Sequence, residues 1–307
     1  MALSLSDPLA LTDPLAWVVV AAFAASAAVH LWTSRERAAR TLAAATWGVF
    51  AVFWALLVPH FWFVQKSVIE TVLVAAAVPG CAYVGYLVYA SRPSLMVFSR
   101  AVAVMGAIYL PALTIDSVQR ALITATTTQS AWLQRALGYR PEVLTGPTVE
   151  SAHVGFPHAL LYVQDGHRYL LEVLLACTGI GSISLVAGVV VALDASVRRR
   201  AIGLAVVVPI IYVLNVVRVA FIAIANGHQW FDGPLATRFV ELVFSPSQQN
   251  IASYYIADRV IAQSLSVVVL IALTLLLLRV LPELETVVTD LLYVLTGREY
   301  DLGHQRE

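Results

Sequence analysis

The chain has 307 residues, of which 60% are hydrophobic and only 12% are charged, and its mean hydropathy is +0.80. Because a soluble domain carries about 25% charged residues, this composition excludes a soluble enzyme and predicts an integral membrane protein. The 19 basic and 19 acidic residues cancel, which argues against nucleic-acid binding. Two cysteines are too few for a disulfide framework or a cysteine-rich zinc site.

Seven apolar segments are long enough to cross a bilayer as helices, since about 20 mostly apolar residues span the hydrocarbon core. The fourth and the sixth each contain one arginine, Arg100 and Arg218, and the others are free of Asp, Glu, Lys and Arg. In chain order they are 14–34, 41–65, 71–91, 94–115, 173–193, 201–223 and 260–278. The pattern predicts an all-α, polytopic helix bundle over residues 1–279 and a cytoplasmic C-terminal tail over 280–307.

The arginines of the short loops predict the orientation of this bundle. They lie at 35–40, at 92 and at 198–200, which are loops on the same side of the membrane. Basic loops face the cytoplasm, so the N-terminus is predicted to be outside and the C-terminus inside. This orientation leaves two long segments outside, at about 116–172 and about 224–258.

Each outside segment contains a predicted helix. The first segment begins with one over residues 116–138. In the second, apolar side chains fall on one helical face and charged ones lie nearby. The apolar residues are Leu235, Phe239, Val240 and Val243, and the charged ones are Arg238 and Glu241. Such a helix either lies in the membrane interface or packs as a lid on the bundle, and the sequence leaves both interpretations open.

Three ionisable side chains, Cys177, Arg218 and Arg259, are predicted to lie at one depth near the outer surface. Arg218 is about 26 Å from the inner end of the sixth span, at about 1.5 Å per residue, and Asn215 is on the same helical face. Arg259 opens the seventh span from outside, and Cys177 lies about 7–8 Å into the fifth span. An ionisable residue inside a span is costly and is therefore a functional candidate.

These residue types are suited to acyl transfer by a cysteine nucleophile. The thiolate is the nucleophilic form of cysteine; nearby cations lower the thiol pKa, whereas burial raises it. An arginine keeps its charge and presents a fork of donors, so Arg218 and Arg259 can also stabilise an oxyanion. The ordinary alternatives are that Cys177 is a packing residue and that Arg259 extends to the lipid headgroups.

Three motifs on successive predicted spans resemble those of the exosortase/archaeosortase family. They are Leu-Leu-Ala-Cys-Thr-Gly-Ile-Gly-Ser at 174–182, Asn-Val-Val-Arg at 215–218 and Asp-Arg at 258–259. The resemblance covers most of the chain, including the number of spans. Arg259 in the third motif makes the chain similar to the archaeal branch of the family, since the bacterial branch has a histidine at this position.

The resemblance implies roles for individual residues. Cys177 is implied to be the nucleophile that forms an acyl thioester. Arg218 is implied to stabilise the thiolate and the oxyanion and to donate a proton, although a guanidinium does not normally lose one. Arg259 is implied to stabilise the transition state. The supporting residues from the same motifs are Asn215, Thr178 and Asp258.

The resemblance also implies a function, a substrate class and a location. Members act at the outer face of the cell membrane on secreted surface proteins, such as S-layer glycoprotein. These substrates end in a short Pro-Gly-Phe motif, a hydrophobic helix and a basic end. The enzyme, a cysteine peptidase of the hydrolase class that works as a transpeptidase, releases the tail and transfers the protein to a membrane lipid. Neither a cofactor nor a metal is implied.

Two questions stay open at the level of the sequence. No general base is evident, and His228, Asp258 and water are the candidates. The main alternative function is that of a multi-pass transporter or receptor whose anionic ligand is bound by Arg218 and Arg259, with Cys177 incidental.

Overall fold

The structure, a computed structural model, describes residues 12–32, 35–64, 68–90, 92–148, 155–164, 166–244 and 251–300. Residues 149–154, 165 and 245–250 of the two predicted outside segments lie outside this part of the chain. The described part is mostly helical. Its helices are α1 (Thr12–Trp32), α2 (Glu36–Pro59), α3 (Val68–Ala90), α4 (Met96–Thr114), α5 (Asp116–Ala136), α6 (Ile180–Ala192), α7 (Val197–Gly227), α8 (Pro234–Phe244), α9 (Ala252–Tyr255), α10 (Gln263–Val280) and α11 (Leu284–Thr296).

Six helical segments in the described residues are long and apolar enough to cross a membrane. They are Thr12–Trp32, Glu36–Phe63, Thr71–Ala90, Met96–Thr114, Val197–Gly227 and Ala252–Val280. They correspond to six of the seven predicted spans. In a bilayer a helix satisfies its backbone hydrogen bonds internally, and this is why the apolar runs in the sequence locate these elements well.

The remaining predicted span, 173–193, is not one continuous helix. A 3-10 turn occupies Leu175–Thr178, and the 13-residue helix α6 begins only at Ile180. Between them Gly179 has a φ of +78°, a left-handed conformation that a right-handed helix cannot contain. The prediction of a 21-residue helix was therefore wrong at its N-terminal end, and the apolar helix that remains is shorter than a usual span.

The chain divides into two compact units. The first consists of residues 1–114, 184–204 and 278–307, and the second of 115–183 and 205–277. In the first unit the ring centroids of Phe23 and Trp47 are 5.1 Å apart, and the Trp47 indole donates a 2.9 Å hydrogen bond to the Ser99 hydroxyl. Helices α1 and α4 approach so closely that a Cβ on Gly106 would overlap a Val20 methyl group, so only glycine fits there.

The second unit contains a three-stranded antiparallel sheet in the order β1-β2-β3, formed by β1 (Glu142–Leu144), β2 (Ala159–Gln164) and β3 (His167–Glu172). Its register pairs Leu144 with Ala159, and Ala159 with Glu172. The buried side chains of β2 pack with residues of α5 and α7 in one apolar core, which includes Ile123, Leu160 and Ile222.

The prediction of an all-α fold missed this sheet. One sequence signal points to it: the Asp-Gly pair at 165–166 is typical of a two-residue hairpin. In the structure Gly166 has a φ of +76°. Strand β2 is buried along its first four residues, so it lacks the alternation of a half-exposed strand and resembles a short helical segment in its hydropathy.

Helix α11 forms within the predicted C-terminal tail 280–307, and one of its faces is buried. Leu284, Val287 and Asp290 are the buried positions. Arg92 donates a 3.0 Å hydrogen bond to Asp290, and its guanidinium carbon lies 3.5 Å from the centroid of the Tyr293 ring. The tail is thus held to the loop between α3 and α4 in the first unit.

Candidate active site

Cys177 lies on the 3-10 turn Leu175–Thr178, which connects β3 to α6 and is called the cysteine turn below. The chain enters the turn in an extended conformation at Leu174, whose carbonyl accepts a 2.9 Å hydrogen bond from the Cys177 amide. The Thr178 hydroxyl donates to the Leu175 carbonyl at 2.7 Å. Both bonds close the turn on itself, so the backbone around the thiol is fixed locally.

Asn215 on α7 holds the cysteine turn from the other side. Its side-chain amide donates a 2.6 Å hydrogen bond to the backbone carbonyl of Cys177, and Asn215 is itself buried. A Cβ on Gly179 would meet the side-chain Cγ of Asn215 at 3.1 Å. Glycine at 179 thus allows the left-handed conformation and leaves space for the side-chain amide of Asn215 to reach the turn.

Asp258 lies between the two arginines of the predicted site. One oxygen accepts a 2.7 Å hydrogen bond from an Nη of Arg218, and the other lies 3.6 Å from the Arg259 Nε. The Asp258 side chain is mostly buried, whereas the Arg259 side chain is 47% exposed. The carboxylate is positioned to hold Arg218 firmly and contacts Arg259 more loosely.

Asp258 and Arg259 belong to a π-helical segment, Ile256–Ala262, that joins α9 to α10. Such widened turns inside α-helices are frequent at functional sites, because they change where the side chains of a helix point. The sequence placed Arg259 at the beginning of the seventh span, whereas the helical segment begins earlier, at Ala252.

The Nε of Arg218 is buried and has no hydrogen-bond partner among the residues that the structure describes. A buried polar group without a partner is unusual and calls for an explanation. The neighbouring Nη of the same guanidinium is engaged by Asp258. Arg218 therefore combines one anchored donor with one unused donor.

The pKa of Cys177, which lies outside the six long helices, is raised above its ordinary value, chiefly by burial. The backbone hydrogen bond at Leu174 and the charges of Arg218 and Arg259 act in the lowering direction, and the Asp258 charge acts in the raising direction. The charges of the two arginines thus favour the thiolate, but burial raises the pKa by more than they lower it. The resting thiol is consequently neutral near neutral pH.

Residues 12–245 match the family model of the transmembrane exosortases. The chain belongs to the transmembrane exosortase family. The resemblance stated from the three sequence motifs is thereby confirmed, and the matched range includes Cys177, Asn215 and Arg218.

Two curated relatives match this exosortase-family chain over nearly its full length. Archaeosortase A of Haloferax volcanii is 42% identical over 305 residues, which cover 96% of this chain and 97% of the relative. Archaeosortase A of Natronomonas pharaonis is 41% identical over 300 residues, which cover 95% of this chain and 91% of the relative. No solved structure matches the chain significantly.

His228, one of the three candidates for a general base, packs in an aromatic cluster of this exosortase-family chain. Its ring centroid lies 5.1 Å from that of Tyr139 and 5.1 Å from that of Tyr162. The Tyr162 hydroxyl donates to Gln134 at 2.7 Å. These neighbours give His228 a packing role beside the sheet.

Tyr254 also lies close to the groups of the candidate site, although the sequence did not predict it. It packs against the same apolar core as Cys177, and the charges of Cys177, Asp258 and Arg259 act on its hydroxyl. Its position four residues before Asp258 puts both on one helical face, which is the sequence signal for Tyr254.

Among the described residues no group of three metal-ligating side chains gathers. The polar groups of the candidate site are those of Cys177, Asn215, Arg218, Tyr254, Asp258 and Arg259.

Proposed function

We propose that this chain is a membrane-embedded cysteine transpeptidase that uses Cys177 as its nucleophile. The observation that carries the proposal is the fixed cysteine turn: its carbonyl is held by Asn215, and the charges of Arg218 and Arg259 act on its thiol. The archaeosortase A relatives support the same class of reaction, since they align with nearly the whole chain.

In the first half of the reaction, the Cys177 thiolate attacks the carbonyl carbon of the scissile peptide bond. The oxygen of the tetrahedral intermediate becomes anionic and is stabilised by guanidinium donors. The C–N bond then breaks, the nitrogen of the leaving segment takes up a proton, and an acyl thioester remains on Cys177. In the second half, an amine attacks the thioester, and the thiol is regenerated.

Arg218 is the better placed of the two arginines to stabilise the oxyanion. Its Nη is anchored by Asp258, so the guanidinium has one orientation, and its buried Nε is a donor without a partner in the described residues. A donor that is already oriented costs no reorganisation in the transition state. Arg259 is more exposed and is proposed to add positive charge near the transition state.

The thiol must lose its proton in order to attack, because burial keeps it neutral. Asp258 and water are the proposed proton acceptors. We propose that the proton is transferred to one of them as the sulfur attacks, once substrate binding has placed the electrophilic carbonyl carbon next to the sulfur.

The proposed substrates are the C-terminal sorting signals of secreted surface proteins, of which S-layer glycoprotein is the main example. Such a signal carries a Pro-Gly-Phe motif, a hydrophobic helix and a basic end, and the proposed acceptor is an amine-bearing membrane lipid. A nucleophile close to the outer membrane surface suits a substrate whose folded part has already been exported.

The proposed topology has seven spans, with α6 as the short fifth one, the N-terminus outside and the C-terminus in the cytoplasm. Arg200 and Arg218 lie on the same helix, about 27 Å apart along its axis at about 1.5 Å per residue. This is close to the thickness of the hydrocarbon core. Arginine-rich loops on the inner side therefore put Arg218 near the outer surface.

The alternative of a transporter or receptor for an anionic ligand is less well supported. In that function Cys177 is incidental, so it gives no reason for the two hydrogen bonds that close the cysteine turn on itself. That function also gives no reason for the hydrogen bond between Asn215 and the Cys177 carbonyl.

A matched pair of cysteine variants tests the proposed function. In membranes that contain a surface-protein substrate, Cys177→Ala is expected to abolish removal of the C-terminal segment, as followed by the size of the substrate. Cys81→Ala, at a buried cysteine in the core of the first unit, is expected to process normally. Normal processing by Cys177→Ala contradicts the assignment.

A further inference from the structure

Helix α8 (Pro234–Phe244) is amphipathic, and its apolar side is turned away from the protein. Leu235 and Leu242 are each 85% exposed, and Phe239 and Val243 are also exposed. Val240 is the buried residue of this helix. The interpretation of this segment as a packed lid is therefore wrong, because a lid would bury the leucines.

The side chains of α8 divide among three directions, at about 100° per residue. The exposed apolar side chains Leu235, Phe239 and Leu242 span one arc. Val240 and Phe244 point towards the protein, about 140° away from the centre of that arc. Arg238 and Glu241 are exposed and occupy the third direction. A helix with a protein side, an apolar side and a charged side fits a boundary between protein, lipid and water.

The position of α8 in the chain points to the same boundary. It connects two helical segments that are long enough to span a membrane, Val197–Gly227 and Ala252–Val280. The six residues 228–233 that precede it reach at most about 20 Å. The beginning of α8 is therefore close to the membrane-surface end of the first of these spans.

Both ends of α8 are tied to the beginning of the second span. Just before α8, the Phe231 amide donates a 2.9 Å hydrogen bond to the hydroxyl of buried Ser253. At the other end the ring of Phe244 lies 5.0 Å from that of Tyr255. These contacts fix which side of α8 faces the protein, so the helix cannot rotate to bury Leu235 and Leu242.

We infer that α8 is an interfacial helix, whose apolar face of Leu235, Phe239, Leu242 and Val243 is inserted into the lipid bilayer. The lipid acyl chains cover the leucines, and Arg238 and Glu241 face the headgroups and water. Because Ser253 and Tyr255 lie five and three residues before Asp258, this insertion also sets the depth of the segment that carries Asp258 and Arg259. This placement of α8 holds whether or not Cys177 is a nucleophile.

Site-directed spin labelling of the full chain in liposomes tests this inference. Leu235→Cys, Leu242→Cys, Arg238→Cys and Glu241→Cys are made singly in a background in which Cys81 and Cys177 are alanine, and each is labelled with a nitroxide. Collisions with lipid-soluble oxygen are compared with collisions with a water-soluble nickel chelate. If a leucine variant loses helix content by circular dichroism, Phe239→Cys or Val243→Cys replaces it.

The expected result is a ratio of oxygen to nickel collisions above unity at the leucine positions and below unity at Arg238 and Glu241. Three results overturn the inference. Nickel access at all four positions means that α8 lies in water. Protection of the leucine labels from both reagents means that protein covers them. Nickel access that is lost only when a hydrophobic helical peptide is added means that the face docks a peptide instead of lipid.

Discussion

The side-chain amide of Asn215 donates a hydrogen bond to the backbone carbonyl of Cys177 across 2.6 Å. Since Asn215 and Arg218 are three residues apart on α7, one helical face both holds the cysteine turn and presents the guanidinium. The position of the cysteine turn is thereby linked to that of the Arg218 guanidinium through one helix. In the Asn-x-x-Arg motif of this chain, the first residue holds the turn and the last supplies the cation.

Asn215→Ala is expected to lower turnover on the order of 100-fold, because a displaced nucleophile loses its near-attack geometry. The effect on the free energy of unfolding is expected to be only about 1 kcal/mol, the usual contribution of one hydrogen bond. Initial rates over a range of substrate concentrations separate the turnover from KM. Asn226→Ala is the matched control, because its amide also donates to a backbone carbonyl, that of Leu170; a loss of turnover as large in the control contradicts the positioning role.

Gly179→Ala is expected to lower both stability and processing. A φ of +78° costs a non-glycine residue about 1–2 kcal/mol, and the added Cβ presses on Asn215. Thermal unfolding of the purified protein and the processed fraction of substrate are the measurements. Gly233→Ala is the control, since its Cβ meets nothing within 4 Å; equal effects at both glycines refute the argument.

Arg218→Lys is expected to lose at least about 100-fold in turnover, the usual effect of removing one oxyanion donor. A lysine keeps the ion pair with Asp258 but cannot supply a second, separately directed donor. Arg259→Lys is expected to retain measurable activity, because Arg259 is half exposed and supplies mainly charge. The processed fraction of substrate compares the two, and the reverse order of activities means that the roles must be exchanged.

Asp258→Asn is expected to lower the pKa of Cys177, because the negative charge that disfavours the thiolate is removed while both arginines stay. The pH dependence of Cys177 alkylation, measured in a Cys81→Ala background, reports this pKa. In the unsubstituted site, alkylation is expected to rise at higher pH than for a free cysteine, since burial raises the pKa. In Asp258→Asn the rise moves to lower pH, whereas processing falls because Arg218 is no longer held. An unchanged or higher pKa contradicts the electrostatic account.

The sequence predicted the six long helices and the three motif positions, because apolar length and charged interruptions are properties of single segments. It did not predict the break in the helix at Gly179. The positive φ there accompanies the contact between Asn215 and the cysteine turn, and a contact between distant segments is not a property of either segment alone. It missed the ion pair between Arg218 and Asp258. These residues are distant in the sequence, and the pattern of one helix does not show which side chain of another helix it faces. The hairpin around Gly166 was visible in the sequence but was outweighed by the helical composition of the rest.

The most direct test of the central claim is to trap the covalent intermediate. The full chain in liposomes is incubated with a peptide that contains the Pro-Gly-Phe motif and a hydrophobic helix, quenched with acid and digested for mass spectrometry. We expect the acyl segment of the peptide on Cys177, a mass gain that hydroxylamine removes, as a thioester requires, and none on Cys81. Continued cleavage of the peptide without any adduct on Cys177, together with normal cleavage by Cys177→Ala, would contradict the account.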